Sequence, residues 1–234
     1  PGVPRDASNI CARAAMLMKQ RLGAERAVRI DIDKRIPVMG GLAGGSADAA
    51  TTLTLLNELW GLGLGPEELA ETGRELGMDV PYFFVGGTAF DTEGTGVLRP
   101  VETRMELDLV VVVPAAGVST REAYGRVDRN SAGRSRGLTD EVIRGFEQND
   151  RERVAAALHN DFESSVFGHL PALRELKQGL TDEGCLGACL SGSGSTLVGI
   201  ARDHAHARTV CAALQTSGMC RQVLACRTGR GRCS

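Results

Sequence analysis

The chain has 234 residues, enough for one large domain or two small ones, each with a hydrophobic core. Its 42% hydrophobic and 24% charged residues are typical of a globular protein, and 27 basic against 29 acidic side chains leave a net charge of −2. This balance provides no basic field for nucleic acid or an anionic membrane surface, and the apolar runs are too short to span a bilayer. We therefore expect neither partner.

The cysteines indicate the redox state of the protein. There are seven, an odd number, and no two form a Cys-x-x-Cys pair. The spacing of Cys185 and Cys189 lacks the second pair or the flanking histidines that would complete a zinc site. We expect reduced thiols, a cytoplasmic location and no metal bound by cysteine.

Hydrophobic periodicity predicts the elements of the first part of the chain. A helix is predicted over Ala12–Leu22, and the clean alternation of Val28–Lys34 is typical of a half-buried strand. After a glycine-rich turn, one apolar face marks a helix that ends at Trp60. Three further short elements are expected, a helix and two strands: Pro66–Leu76, Thr88–Asp91 and Val97–Pro100.

The second part of the chain is predicted to mix helices and strands without strict alternation. Leu107–Val113 is a continuous apolar run, as in a buried strand, and the polar stretch Arg126–Gly137 indicates a loop. Asp203 is expected to cap a helix. The other predicted elements are three helices and three strands: Asp140–Gln148, Arg151–Phe162, Pro171–Leu180, Leu186–Leu190, Thr196–Ala201 and Gln222–Cys226.

The glycine-rich turn is the most informative segment of the chain. Glycines let the backbone approach a ligand closely, and the helix that follows presents unpaired N–H groups and a partial positive charge. Such a turn predicts an anion site, most simply for a nucleotide phosphate. The candidate residues are consecutive: Pro37, Val38, Met39, Gly40, Gly41, Leu42, Ala43, Gly44, Gly45, Ser46 and Ala47. The alternative is a tight strand-to-helix connection whose glycines only pack against a neighbour.

Two common phosphate loops are excluded by spacing. A Walker A loop requires a lysine directly before the serine, and none precedes Ser46. The glycines also do not match Gly-x-Gly-x-x-Gly, the pattern of dinucleotide-binding loops.

The remaining pattern resembles the GHMP family of small-molecule kinases. A proline, a glycine-rich turn and a helix whose first turn carries Ser46 and Asp48 are typical of that family's phosphate loop. Met39 and Ala43 stand where glycine is common. Further motifs follow in the family's order: Lys34-Arg-Ile-Pro37, Gly44-Gly-Ser-Ala-Asp-Ala-Ala50, Leu76-Gly-Met-Asp-Val-Pro-Tyr-Phe83, Gly86-Gly-Thr-Ala89, Gly94-x-Gly96, Gly117-Val-Ser-Thr120, Asn160-Asp-Phe-Glu163 and Ser191-Gly-Ser-Gly-Ser-Thr196.

The resemblance implies a fold and a reaction. The fold would be α+β, with a phosphate-loop domain over residues 1–104, a ferredoxin-like domain over residues 105–228 and a flexible tail over residues 229–234. The reaction would use ATP and Mg²⁺ to phosphorylate the 2-hydroxyl of a cytidine diphosphate-linked methylerythritol, a step of non-mevalonate isoprenoid biosynthesis. The partner is then a small-molecule substrate.

The resemblance also assigns roles to individual residues, each with a plainer alternative. Asp79 would be the catalytic base, or else the N-cap of a helix over Pro81–Val85. Ser46 would contact Mg²⁺ or phosphate, or be a plain N-cap. Tyr124 would stack on the cytosine, or be a core aromatic. The expected substrate contacts Ser191, Gly192, Ser193 and Gly194 would lie behind the phosphate loop, or form a flexible hairpin.

Three other residues with polar side chains receive no catalytic role. We expect Lys34 at the surface at a strand end, and Asn160 with Asp161 at a helix end.

The chain begins with Pro1-Gly-Val-Pro, which resembles the middle of a protein. Family members start with several tens of further residues that include a strand with a catalytic lysine and an asparagine, and a substrate-side histidine. We expect the sequence to lack that segment. Alternatives are a GHMP kinase for mevalonate, homoserine or a sugar, and an inactive nucleotide-binding or RNA-binding remnant.

Overall fold

The computed structural model of the protein describes residues 2–23, 27–91, 94–118, 120–126, 133 and 136–229. Within these ranges the chain forms two compact units. The first unit contains residues 2–38 and 43–101, and the second contains residues 39–42 and 102–229. The short segment Met39–Leu42 is therefore grouped with the second unit, although the chain on either side of it belongs to the first.

In its described residues, the first unit contains four helices and a small antiparallel pair of strands. Their bounds are α1 Ile10–Leu22, α2 Gly44–Trp60, α3 Pro66–Arg74, α4 Tyr82–Val85, β1 Thr88–Phe90 and β2 Arg99–Val101. Asn9 caps α1 by accepting a hydrogen bond from the Cys11 N–H, and Gly61 ends α2 with a φ of 64°. Met18 of α1 and Leu53 of α2 are almost fully buried in a shared hydrophobic cluster.

The strand predicted over Val28–Lys34 is wrong. Residues 27–35 have no regular secondary structure, and no described segment pairs with them. The alternation itself is real, because Val28 and Ile30 pack against the helical cluster while Arg29 and Asp31 are exposed. An alternating pattern reports which side chains are buried, but a strand also needs a neighbour for its backbone groups.

The second unit is built on a four-stranded antiparallel sheet with the order β4-β5-β3-β6. Its elements are β3 Asp108–Pro114, α5 Thr120–Arg126, α6 Arg136–Glu147, α7 Arg151–Ala156, α8 Glu163–His169, α9 Ala172–Asp182, β4 Gly187–Leu190, β5 Leu197–Ile200, α10 His204–Gln215 and β6 Cys220–Arg227. The chain order β-α-β-β-α-β, with several helices in the first crossover, is the ferredoxin-like arrangement. The predicted α+β class is confirmed.

Each face of this sheet packs on helices. Val110 and Val112 of β3 lie in one cluster with Leu176 of α9 and Val210 of α10. Leu109, which points the other way, packs in a second cluster formed with α6 and α7.

One predicted helix is divided in two. The helix expected over Arg151–Phe162 ends at Ala156, and α8 begins at Glu163. Asn160 explains the break, because its side chain accepts a hydrogen bond from the Phe162 N–H at 2.9 Å. A short amide side chain that bonds the backbone in this way competes with helix hydrogen bonds.

Three other predictions concern the margins of this unit. Helix α5 was not anticipated from the sequence. Most of the loop predicted over Arg126–Gly137 lies outside the described residues. Helix α6 begins at Arg136, one residue before the predicted end of that loop. The tail expected over residues 229–234 lies outside them too, apart from Gly229.

Candidate active site

The glycine-rich turn adopts a backbone that side chains disfavour. Met39, Gly41 and Ala43 have φ values of 59°, 70° and 50°. The two non-glycine residues are those that depart from the family pattern, and each costs about 1 kcal/mol in this region. Contacts with other parts of the protein must therefore offset the energy cost of this backbone conformation.

One half of the turn, residues 39–42, is hydrogen-bonded within the second unit. The Gly40 carbonyl accepts a hydrogen bond from the Thr196 N–H at 3.1 Å, and the Gly41 carbonyl accepts one from Ser191 Oγ at 2.9 Å. A Cβ on Gly41 would lie 2.1 Å from the Ser191 carbonyl oxygen. Only glycine fits at this position, so residues 39–42 are the held half of the turn.

The other half leads into α2 and is open at Gly45, whereas Gly44 is buried. Its first helical N–H to carbonyl bond runs from Ala47 to Ala43 at 2.9 Å, and no side chain caps the helix. A Cβ on Gly45 would meet no atom within 4 Å. The amides of Gly44, Gly45 and Ser46 are thus the early N–H groups that a helix offers to an anion, and residues 44–47 are the open half of the turn.

Ser46 is not the N-cap of α2. Ala43 occupies that position, and Ser46 is the third residue of the helix. Its side chain is partly buried, and its hydroxyl makes no hydrogen bond to any described residue. The capping alternative is wrong, so this hydroxyl is free to bind a ligand.

Lys34 is not the surface residue that we expected. Its Nζ lies 2.5 Å from Asp48 Oδ2 and donates to the Gly44 carbonyl at 2.7 Å, and its side chain is only 15% exposed. A Cβ on Gly44 would approach this Nζ at 3.0 Å and Ile36 Cγ2 at 2.7 Å. The ion pair fastens the chain before Pro37 to the first turn of α2.

Asp79 lies on a turn between α3 and α4 with an exposed side chain. The next residue, Val80, is fully buried in the cluster with α2, which anchors the turn on the core. Pro81 occupies the N-cap position of α4, so the capping role considered for Asp79 is wrong. Within the described part of the chain the carboxylate has no hydrogen bond or ion pair.

Tyr124 lies on α5 in the second unit. The residue is 67% exposed, and its ring contacts Phe162 edge-on, with centroids 4.8 Å apart and an interplanar angle of 77°. The core alternative for Tyr124 is wrong. One face of an exposed, braced ring is the arrangement that base stacking requires.

The Ser191–Gly194 turn connects β4 to β5 and lies against the held half. The Ser191 N–H donates to the Thr196 carbonyl at 2.8 Å, and the Gly194 N–H donates to the Ser191 carbonyl at 2.9 Å. This segment therefore backs the glycine-rich turn through residues 39–42, as the resemblance implied. Its contact with a substrate stays a prediction.

The sequence did not reveal how strongly this turn is held from outside. Asn160 Nδ2 donates to the carbonyls of Leu190 and Gly192 at 2.7 and 2.8 Å. Glu163 Oε1 accepts the Leu190 N–H at 2.9 Å. The only signal was the Asn160-Asp-Phe-Glu163 motif, whose partners are remote in sequence.

Among the described residues, no group of three or more His, Cys, Asp or Glu side chains is placed to hold a metal ion, and the six cysteines of these residues are unpaired. Burial raises the pKa of both the Cys185 and the Cys189 thiol to about 11, which keeps them protonated at neutral pH. No described helix has the length and apolarity needed to cross a membrane.

Sequence comparison identifies the class of protein that these features define. Residues 9–87 match the GHMP kinases N terminal domain, and residues 142–218 match the GHMP kinases C terminal domain. The chain belongs to the GHMP kinase family. It is 40% identical over 208 residues to the 4-diphosphocytidyl-2-C-methyl-D-erythritol kinase of Alkaliphilus metalliredigens, covering 88% of this chain and 71% of the relative.

Two further comparisons agree with this one. The enzyme of the same name from Gloeobacter violaceus is 40% identical over 218 residues, which cover 92% of this chain and 72% of the relative. A crystal structure of 4-(cytidine 5'-diphospho)-2C-methyl-D-erythritol kinase aligns with a TM-score of 0.78 at 29% identity, over 97% of this chain and 81% of that one. The family resemblance inferred from the motifs is confirmed.

Proposed function

We propose that this chain is an ATP-dependent kinase that phosphorylates the 2-hydroxyl of 4-diphosphocytidyl-2-C-methyl-D-erythritol. The observation that carries the proposal is the division of the glycine-rich turn. In its held half the Gly40 and Gly41 carbonyls accept hydrogen bonds from Thr196 and Ser191, whereas Gly45 faces open space. A glycine within a helix costs about 0.5–1 kcal/mol relative to alanine, and no neighbouring atom accounts for it here. Close approach of a ligand would account for a glycine at this position.

A nucleoside triphosphate suits this site. The uncapped amides at the start of the 17-residue helix α2 would bind phosphate oxygens, and the helix dipole favours their negative charge. The free hydroxyl of Ser46 would contact a phosphate or Mg²⁺. Since no described acidic cluster could hold the ion by itself, Mg²⁺ would depend mainly on the phosphates, whose charge it neutralises.

Asp79 is the proposed general base. Phosphoryl transfer needs positioning, charge neutralisation and an acceptor for the hydroxyl proton. An exposed carboxylate without a protein partner, on a turn anchored by Val80, is available to take that proton. The hydroxyl oxygen would then attack the γ-phosphorus as the proton passes to Asp79, and ADP would leave.

The acceptor side of the proposal rests on Tyr124 and the Ser191–Gly194 turn. An exposed ring braced by Phe162 offers a face for the cytosine, and the turn exposes Gly192 beside residues 39–42. We also retain as proposals the domain limits at residues 104 and 228 and a cytoplasmic location.

Matched glycine substitutions test the nucleotide site. Gly45→Ala should raise the Kd for ATP about tenfold in isothermal titration calorimetry, because the methyl group occupies the ligand's approach. Gly137→Ala is the control, since Gly137 is likewise the second residue of a helix and its Cβ would also meet nothing within 4 Å. Equal ATP affinity in both variants would contradict the proposed site.

The acceptor is tested separately by mass spectrometry of the products. With ATP and Mg²⁺ present, 4-diphosphocytidyl-2-C-methyl-D-erythritol should gain one phosphoryl group, whereas homoserine and mevalonate should not. Transfer to either of the other alcohols would contradict the proposed acceptor. ATP binding without any transfer would favour a binding-only protein.

A further inference from the structure

The Asn160-Asp-Phe-Glu163 segment holds the end of an edge strand. Strand β4 lies at the edge of its sheet, so the outward backbone groups of Leu190 have no strand partner. Side chains replace it: Asn160 donates to the Leu190 carbonyl at 2.7 Å, and Glu163 accepts the Leu190 N–H at 2.9 Å. Lys177 lies 2.6 Å from the second Glu163 oxygen and keeps that carboxylate oriented.

The same side chain holds the next residues. Asn160 Nδ2 also donates to the Gly192 carbonyl at 2.8 Å, so it bonds the carbonyls on both sides of Ser191. Ser191 in turn donates from Oγ to the Gly41 carbonyl in the held half of the glycine-rich turn. Two successive hydrogen-bonded links therefore connect Asn160 to residues 39–42.

From this chain of contacts we infer that Asn160 and Glu163 are positioning residues for the nucleotide site. Asn160 sets the place of Ser191, and Ser191 sets the place of Gly41, three residues before the amides of the open half. The inference rests on the proposed function, because it assumes that those amides bind ATP. Neither residue needs to touch the nucleotide.

The geometry suggests a substitution that removes only one part of the contact. Asn160→Asp loses both Nδ2 donors but retains an oxygen for the Phe162 N–H. Asp161→Asn is the matched control, as the neighbouring residue undergoes the reverse change. Asp161 contacts Gly133 and His159 and makes no described contact with residues 190–192.

Amide hydrogen exchange of the nucleotide-free protein tests the positioning role. In Asn160→Asp, amides of peptides that cover residues 39–42 and 190–196 should exchange at least about tenfold faster than in the wild type, because two hydrogen bonds are lost. Peptides from α10 should not change. Asp161→Asn should leave all three regions at the wild-type rate.

Titration with ATP measures how these substitutions change the affinity for the nucleotide. Asn160→Asp should raise the Kd for ATP about tenfold, and Asp161→Asn should not. Glu163→Gln keeps an acceptor for the Leu190 N–H and should retain most of the affinity that Glu163→Ala loses. A role confined to general stability would lower the melting temperature of both Glu163 variants without this difference in affinity.

The outcomes separate the two proposals. If the wild-type chain does not bind ATP, the proposed function fails and the positioning role fails with it. If the wild type binds ATP but Asn160→Asp changes neither exchange nor Kd, only the positioning role is overturned. Faster exchange with unchanged Kd also overturns it, because the turn would then move without consequence for the nucleotide.

Discussion

The two halves of the glycine-rich turn use glycine for opposite reasons. In the held half, Gly41 is required because the Ser191 carbonyl oxygen occupies the space of a side chain. In the open half, a Cβ on Gly45 would meet no atom of the described residues within 4 Å outside its own helix and chain neighbours. A glycine that packs and a glycine that leaves room look identical in sequence. Their surroundings distinguish a structural brace from a binding surface.

This contrast has an energetic counterpart. The backbone strain at Met39 and Ala43, about 1 kcal/mol each, is opposed by hydrogen bonds to the held half, each worth about 0.5–1.5 kcal/mol. No hydrogen bond from the amides of the open half to the described protein is seen before the Ala47 N–H, so a bound anion would satisfy them. One side of the turn is therefore hydrogen-bonded to protein, and the other is proposed to bind the ligand.

The largest effect is expected from a residue outside both halves. Asp79→Asn should lower kcat about 10²–10⁴-fold, because an amide cannot accept the hydroxyl proton, while both halves of the turn remain intact. Steady-state kinetics with ATP and 4-diphosphocytidyl-2-C-methyl-D-erythritol would measure it, and the Kd for ATP should stay within twofold of the wild-type value. A near-normal kcat would refute the base assignment.

Gly41→Ala should be the most damaging change within the turn. A positive φ and a Cβ close to the Ser191 carbonyl oxygen should together lower the free energy of unfolding by about 2–4 kcal/mol. Gly61→Ala provides the matched control, since Gly61 has a φ of 64° and its Cβ would meet nothing within 4 Å. Urea unfolding of both variants would measure the difference, and equal losses would mean that the close approach at Gly41 is unimportant.

Lys34→Met should cost less, about 1–2 kcal/mol, since it leaves the part-buried Asp48 carboxylate without its cation. The side chains of this pair are 15% and 27% exposed, so solvent screens part of the loss. Arg29→Met, which removes an ion pair with side chains 86% and 76% exposed, should change stability by less than about 0.5 kcal/mol. Thermal unfolding would compare them, and no difference between them would show that burial of the Lys34 pair adds nothing.

The smallest effect should come from Ser191→Ala. This change deletes one hydrogen bond to the Gly41 carbonyl and leaves the Gly40 bond to Thr196, so the expected loss is about 1 kcal/mol in unfolding free energy. ATP affinity should fall less than in Asn160→Asp, which releases the carbonyls on both sides of Ser191. The reverse order of affinities would mean that Asn160 acts by another route.

Much of the secondary structure was predictable because it depends on local pattern. The apolar spacing along α2, the Asp203 cap of α10 and the buried run of β3 were all read from neighbouring residues. The failures involve remote partners. Val28–Lys34 alternates without pairing to any described strand. Asn160, which breaks the helix expected through Phe162, also bonds the Leu190 carbonyl thirty residues away.

The sequence by itself determined the order of motifs, and thereby the family, the glycine-rich turn and the carboxylate at Asp79, since each is a short pattern of consecutive residues. Only the tertiary structure decided which glycine faces protein and which faces open space. It also decided that Lys34 is an internal ion-pair partner and that Asn160 braces Ser191. The physical reason is that hydrogen bonds, ion pairs and steric exclusion act between atoms close in space, and a linear pattern does not record those distances.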